Sequence, residues 1–202
     1  DNEILTINFS TEFLTVNETN EELMLEALIY SLTELKEIKK IKILVENIPL
    51  TKLPKSNKKL PEYLDKKYDI NKIYNLNSLK ETSKTTIYYL SKINDYYYYV
   101  PVTKVSNEKL ERVEIIIKEL KSTPIYHTNL ISYLKASANM TNYELLENAI
   151  SLSFNNYLIA NMKEEQILEE VKYSIALSLR DTYGINEVIF NIPDSENSKI
   201  SI

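Results

Sequence analysis

One strand–helix–strand pattern is written twice in this sequence, and that duplication limits the folds open to the chain more than any other feature. Near the start, Leu5, Ile7 and Phe9 alternate with Thr6, Asn8 and Ser10, the period-two signature of a half-buried strand predicted over 4–13. Thr19 and Glu22 stand at capping-box spacing, and Leu25, Leu28, Ile29, Leu32 and Leu35 then form one helical stripe. Alternation returns at Ile41, Ile43 and Val45. Near the end, Ile150 and Leu152 precede a helix predicted from Asn161 with Ile167, Leu168, Val171, Ile175 and Leu179 on one face, followed by Val188, Phe190 and Ile192. Ser31-Leu32 pairs with Ser178-Leu179 at a separation of 178 − 31 = 147, which also pairs Ile41 with Val188 and Ile43 with Phe190. Ile7 pairs with Ile150 at 150 − 7 = 143, which predicts a four-residue insertion before the helix of the second copy.

The second copy has more in front of it than the first. Thr85–Leu90 and Tyr96–Val105 read as two strands joined by a polar loop over 91–95, and Pro101 assigns the second to a sheet edge or bulge. A helix capped by Ser106 or Asn107 carries Leu110, Val113, Ile117 and Leu120. The stretch 145–154 reads as one strand, and Gly184 stands where a left-handed helix end is expected. Residues 50–84, with Pro54, Pro61, Lys55, Lys58 and Lys59 among recurrent apolar residues, read as an extended connection packed along a domain surface. The predicted organisation is residues 1–49 as the carboxy-terminal half of a first repeat, 50–84 as the connection, 84–194 as a complete second repeat, and 195–202 as a tail. The fold class is α+β, a small sheet with two helices packed on one face.

Several function classes are excluded by what the 202 residues lack. Without cysteine there is no thiolate chemistry, zinc knuckle or iron–sulfur cluster; with one glycine there is no Gly-rich phosphate loop. A formal charge of −5 argues against a nucleic-acid partner. No apolar run is long enough to span a bilayer as a helix. The chain opens on Asp1 rather than Met, so a membrane anchor is expected only upstream. His127, the sole histidine, lies in a polar stretch without an acidic sequence neighbour and reads as a surface or turn residue. Glu164-Glu165 and Glu169-Glu170 read as helix-start residues. No catalytic residue, cofactor or metal site is assigned.

Sixteen tyrosines are the suggestive excess. Tyr96, Tyr97, Tyr98 and Tyr99 form a run that supplies large contact area with polar tips, the chemistry enriched at protein interfaces. The same run could stack on cell-wall glycan or a small molecule, and that ligand-binding module is the alternative reading.

Taken in order, the residues resemble the GerMN domains of spore-forming bacteria. The family's opening strands resemble Thr85-Thr86-Ile87-Tyr88-Tyr89 and Tyr99-Val100-Pro101-Val102. Ser122-Thr123-Pro124 stands at its Gly-Pro turn, and Ser31-Leu32 and Ser178-Leu179 stand at its Thr-Leu-like pair. Ile41-Lys42-Ile43-Leu44-Val45-Glu46 resembles its closing strand, with Asn47 and Asp194 near positions where the family has glycine. The resemblance implies a ring-building-motif-like fold. It also implies a non-enzymatic assembly module in a sporulation or germination envelope complex. Its expected partners are itself or other sporulation envelope proteins, and its expected setting is extracytoplasmic, on a membrane-anchored lipoprotein between mother cell and forespore membranes.

Overall fold

Alternating apolar residues at Leu5, Ile7 and Phe9 form the strand β1 (Ile4–Phe9) in a computed structural model that describes residues 3–78, 80–122, 129–159, 166–193 and 198–202. A short 3₁₀ turn over Thr11–Thr15 follows β1, where an uninterrupted strand is predicted. The chain divides into two compact units, Asp1–Asn71 and Lys72–Ile202.

In the first unit, helix α1 (Glu18–Leu32) is capped by Asn17, whose side chain accepts from the Asn20 N–H at 2.9 Å, two residues ahead of the predicted Thr19. It leads to β2 (Lys40–Val45), which runs parallel to β1, and β3 (Ile48–Pro49) folds back antiparallel. The two-residue turn between β2 and β3 has both Glu46 (φ 49°) and Asn47 (φ 64°) in the left-handed region, as a tight hairpin requires. Leu25, Ile29, Ile41 and Ile43 form the core together with Leu53 and Leu64. The proline- and lysine-rich segment is therefore part of this core. Ile41 and Leu64 exchange backbone hydrogen bonds at 2.8 and 2.9 Å.

Two carboxylates on α1 hold that segment. Glu21 accepts from the Lys55 and Ser56 N–H groups, both at 2.8 Å, and Glu26 accepts from the Asn71 N–H at 2.9 Å. Burial pushes the Glu21 carboxyl up, but the bonds from Ser56 and Lys55 outweigh it and hold the group below its ordinary value.

The second unit begins with β4 (Ile73–Asn75), inside the predicted connection, which pairs parallel to the far end of β6. β5 (Ser83–Ile93) and β6 (Tyr96–Ser106) form an eleven-residue antiparallel ribbon whose turn is only Asn94-Asp95, tighter than the predicted loop. Asn94 at φ 55° supplies the left-handed residue that so short a turn needs. Pro101 lies opposite Tyr88, and β4 pairs only with residues 104–106 of β6. β6 is an interior strand, then, and the proline sits beyond the reach of its parallel neighbour.

Helix α2 (Arg112–Leu120) is capped by Glu111, whose N–H donates to Glu114 Oε2 at 2.9 Å; Ser106 belongs to β6. β7 (Leu130–Ile131) closes the sheet β4-β6-β5-β7. The stretch predicted as one strand is a hairpin, β8 (Met140–Leu145) and β9 (Ala149–Phe154). Helix α3 (Glu169–Tyr183) ends at Gly184 with φ 72°, the left-handed terminus predicted. β10 (Glu187–Asn191) lies parallel to β9, and β11 (Ser198–Ser201), in the predicted tail, completes the sheet β11-β10-β9-β8. The helices α2 and α3 pack on each other and on β5. Their apolar sides share one core with Ile87, Tyr89 and Val102 of the ribbon and Ile150, Leu152, Val188 and Phe190 of the second sheet. The fold is α+β with a duplicated βαβ unit.

The strand registers revise the predicted alignment of the copies. Ile41 pairs with Leu5, and its counterpart Val188 pairs with Ile150, so Leu5 corresponds to Ile150 at 150 − 5 = 145. Phe9 then matches Phe154, and the stretch between the two paired strands is longer by 147 − 145 = 2 residues in the second copy; with Leu25 matched to Ile175, at 175 − 25 = 150, five residues are added before the helix, where four are predicted, and three are removed after it. A period-two pattern cannot distinguish alignments that slip by two. The helix pairing changes as well, since Ser178 is fully buried while Ser31 is exposed. The buried pair Leu25 and Ile29 matches Ile175 and Leu179 instead.

Ser178 has a specific task in the second unit. Its Oγ donates to the Ser174 carbonyl at 2.6 Å and accepts from the Tyr88 N–H at 2.8 Å, while the Tyr88 hydroxyl donates to Asp181 Oδ2 at 2.6 Å. This fixes α3 to β5 by a backbone group that the ladder does not use. Replacing Ser178 with Ala is expected to lower stability by about 1–2 kcal/mol, the usual cost of removing a buried hydrogen-bond partner. Ser31→Ala, at an exposed position, is expected to stay within about 0.5 kcal/mol. Chemical-denaturation midpoints of the two variants check the pair.

Candidate interaction surface

The tip of the β5–β6 ribbon gathers the tyrosine run. Register places Tyr96 opposite Ile93, Tyr97 opposite Lys92, Tyr98 opposite Ser91 and Tyr99 opposite Leu90. Since opposed residues share a face, Tyr96 and Tyr98 fall on the side that carries Val100 and Val102 further along, and Tyr97 and Tyr99 on the other. The tip extends past the core, so Tyr96, Tyr97 and Tyr98 are 70%, 41% and 49% exposed and Ile93 is 56% exposed.

Tyr97 and Tyr99 are held in place. The Tyr97 hydroxyl lies 3.0 Å from that of Tyr133, with the rings edge to face at 6.2 Å and 71°. The Lys92 ammonium lies 5.7 Å from the Tyr97 ring centre, a cation–π distance. The hydrogen bond with Tyr97 raises the Tyr133 phenol above its ordinary value. Tyr99 is half-buried, 5.8 Å from the Tyr173 ring on α3. Burial first, then the carboxylates Glu170 and Glu169 in the first turn of α3, push its pKa up to about 12. The run thus splits into one anchored residue, one braced residue and two open ones.

Lys92 and Tyr133 were not among the residues predicted here. Lys92 follows from the ribbon register once the turn is placed at Asn94-Asp95, whereas nothing in the local sequence brings Tyr133 to Tyr97. His127, Glu164, Glu165 and Asp194, and with them Thr123-Pro124 of the predicted turn, lie outside the described residues. Of the predicted basic patch, Lys58 is engaged within the first unit: it pairs with Glu22 and lies 5.2 Å from the centre of the Tyr68 ring, while Lys55 and Lys59 are exposed. Among the described residues no three His, Cys, Asp or Glu side chains are grouped to hold a metal. A cavity of about 470 Å³ is lined by Glu114, Ile117, Lys118, Lys121, Ala136, Asn139 and Met140, and by none of the four tyrosines. No helix among the described residues is long and apolar enough to cross a membrane.

Comparison with known proteins gives the same order of elements a family context. Residues 1–51 match the family described as Germane, sporulation and spore germination. The spore germination protein GerM of Bacillus subtilis (strain 168) is 27% identical over 186 residues, covering 90% of this chain and 51% of that protein. Over nine-tenths of its length, then, this chain is similar to a germination protein. The solved tandem GerMN domains of the sporulation protein GerM from Bacillus subtilis share its fold, with a TM-score of 0.84 and 24% identity over 96% of this chain and 68% of that one. The chain spans about half the length of the curated relative it matches.

The pKa of Tyr99 makes a pH prediction. A phenol whose folded-state pKa lies above its unfolded value near 10 binds its proton more tightly when folded, so its contribution is complete below pH 10 and lost as pH rises towards about 12. The denaturation midpoint is expected to fall over that window, and to fall less steeply in Tyr99→Phe. Ultraviolet titration of the variant is expected to lack one phenol ionising near pH 12.

Proposed function

We propose that this chain is a non-enzymatic assembly module in a sporulation or germination envelope complex, acting by association with itself or with other proteins of that envelope. The observation that carries the reading is the ribbon tip, where Ile93, Tyr96 and Tyr98 stand open beside the braced pair Tyr97 and Tyr133. Pre-ordered tyrosines bury much area at little entropic cost, and solvent gives them no reason to cluster there. The likeness to a spore germination protein supports the cellular setting. On this reading the chain works outside the cytoplasm, tethered by an anchor that belongs to the whole protein.

Sedimentation velocity over a wide concentration range tests it. Sedimentation is expected to increase with concentration. Replacing Tyr96, Tyr97 and Tyr98 together by Ser is expected to weaken the association by about tenfold or more, as loss of central aromatic anchors does. A monomer at every concentration that also binds no sporulation envelope protein overturns the reading.

A further inference from the structure

The ribbon face opposite Tyr96 and Tyr98 carries charge as well as rings. Tyr97 and Tyr99 share that face, and each is joined by a tyrosine from another part of the second unit. The Tyr133 hydroxyl lies 3.0 Å from that of Tyr97, and the Tyr173 ring centre lies 5.8 Å from that of Tyr99. Four phenol rings, from β6, from α3 and from the segment after β7, therefore gather at one place. Two of them stay open, Tyr97 at 41% and Tyr133 at 39% exposure, while Tyr99 and Tyr173 are half-buried.

Two carboxylates stand against these rings. Glu169 and Glu170 open α3, four and three residues before Tyr173, so both lie on its side of the helix. Both act electrostatically on Tyr99, and Glu170 acts on Tyr133 as well. Glu169 is exposed and Glu170 half-buried, and among the described residues neither is paired with a lysine or arginine. A place in the first turn suits the helix dipole, but it does not account for four tyrosines set beside the pair. Lys92, over the Tyr97 ring at 5.7 Å, shows that a ring of this patch accepts a cation. One ammonium against two carboxylates leaves the patch net negative.

We infer that this face docks an arginine side chain of a partner protein, with the Tyr97 and Tyr133 rings as its stacking surface and Glu169 and Glu170 as its counter-charge. A guanidinium is planar, stacks on aromatic faces and sheds water more readily than an ammonium, so rings beside carboxylates favour arginine over lysine. The inference rests on the association reading and names the chemistry of its partner, on the ribbon face that Tyr96 and Tyr98 do not use.

Chemical shifts of the whole chain, followed by NMR as the peptide acetyl-Gly-Arg-Gly-amide is added, test it. Resonances of Tyr97, Tyr133 and Glu170 are expected to move saturably. The same peptide with citrulline for arginine keeps the shape and loses the charge, and is expected to bind about tenfold more weakly. Glu169→Gln with Glu170→Gln is expected to weaken arginine-peptide binding about fivefold. Glu37→Gln with Glu147→Gln, the same charge change at exposed positions elsewhere, is expected to leave it unchanged. Unmoved Leu152 and Val188 resonances report that each variant keeps its core. Equal binding of the citrulline peptide overturns the inference, as does undiminished binding by the Glu169 and Glu170 variant. An equal loss in the control variant also overturns it, because the attraction would then be one of net charge alone. The titration needs no association of the chain, and sedimentation needs no peptide, so the two readings fail separately.

Discussion

The parallel pairing of β9 with β10 is the constraint on which the second unit depends. Parallel neighbours cannot be joined by a tight turn, so the chain must leave the sheet and return by a crossover, here the helix α3. Once α3 lies over the sheet, its buried residues Val171, Ile175 and Leu179 need a second apolar layer. The ribbon β5–β6 and the helix α2 complete it, and Ser178 joins the two parts through the Tyr88 N–H. The same parallel constraint produces β1, α1 and β2 in the first unit, with another solution for covering the helix.

That difference is chemical. In α3 the buried positions are apolar or small, suited to packing against α2 and β5. In α1 the buried positions include Glu21 and Glu26, whose carboxylates accept backbone N–H groups from 55, 56 and 71. A buried carboxylate is tolerated only when its oxygens are hydrogen-bonded, so these two residues commit α1 to holding an irregular segment. One ancestral pattern thus supports a layered core in one unit and a loop-covered core in the other. A similar trade appears at Lys104, almost fully buried opposite Thr85, whose ammonium is satisfied by Glu108 and by Glu119 at 2.6 Å. Burial opposes its charge, and the two carboxylates outweigh that and raise its pKa.

The ribbon tip follows from length. Eleven-residue strands carry the register well past the part of the sheet that α2 and α3 cover, and the residues at the end can be aromatic without entering the core. Tyr99 lies at the boundary, against Tyr173, and Tyr96 lies beyond it. A gradient from buried to open tyrosine within four consecutive residues gives a rigid base to an exposed apolar surface.

The sequence by itself determined the duplicated strand–helix–strand units, the α+β class, the Gly184 terminus and the absence of thiol or Gly-loop chemistry. Each of these is local, a matter of side-chain periodicity or of the conformations one residue type allows. Tertiary structure alone decided the rest. Alternation could not fix the strand register of the repeat, because a slip of two preserves it; only the pairs Leu5 with Ile41 and Ile150 with Val188 do so. It also could not separate β8 from β9, since the apolar residues Leu145 and Leu146 run across the turn between them. Proline and lysine marked 50–84 as an extended connection packed along a surface, but how deeply such a segment enters a core depends on acceptors elsewhere in the chain, here Glu21 and Glu26 for the N–H groups of 55, 56 and 71. The tyrosine run was legible as a run, and which of its members are open was not, because exposure is set by where the helices over the sheet end.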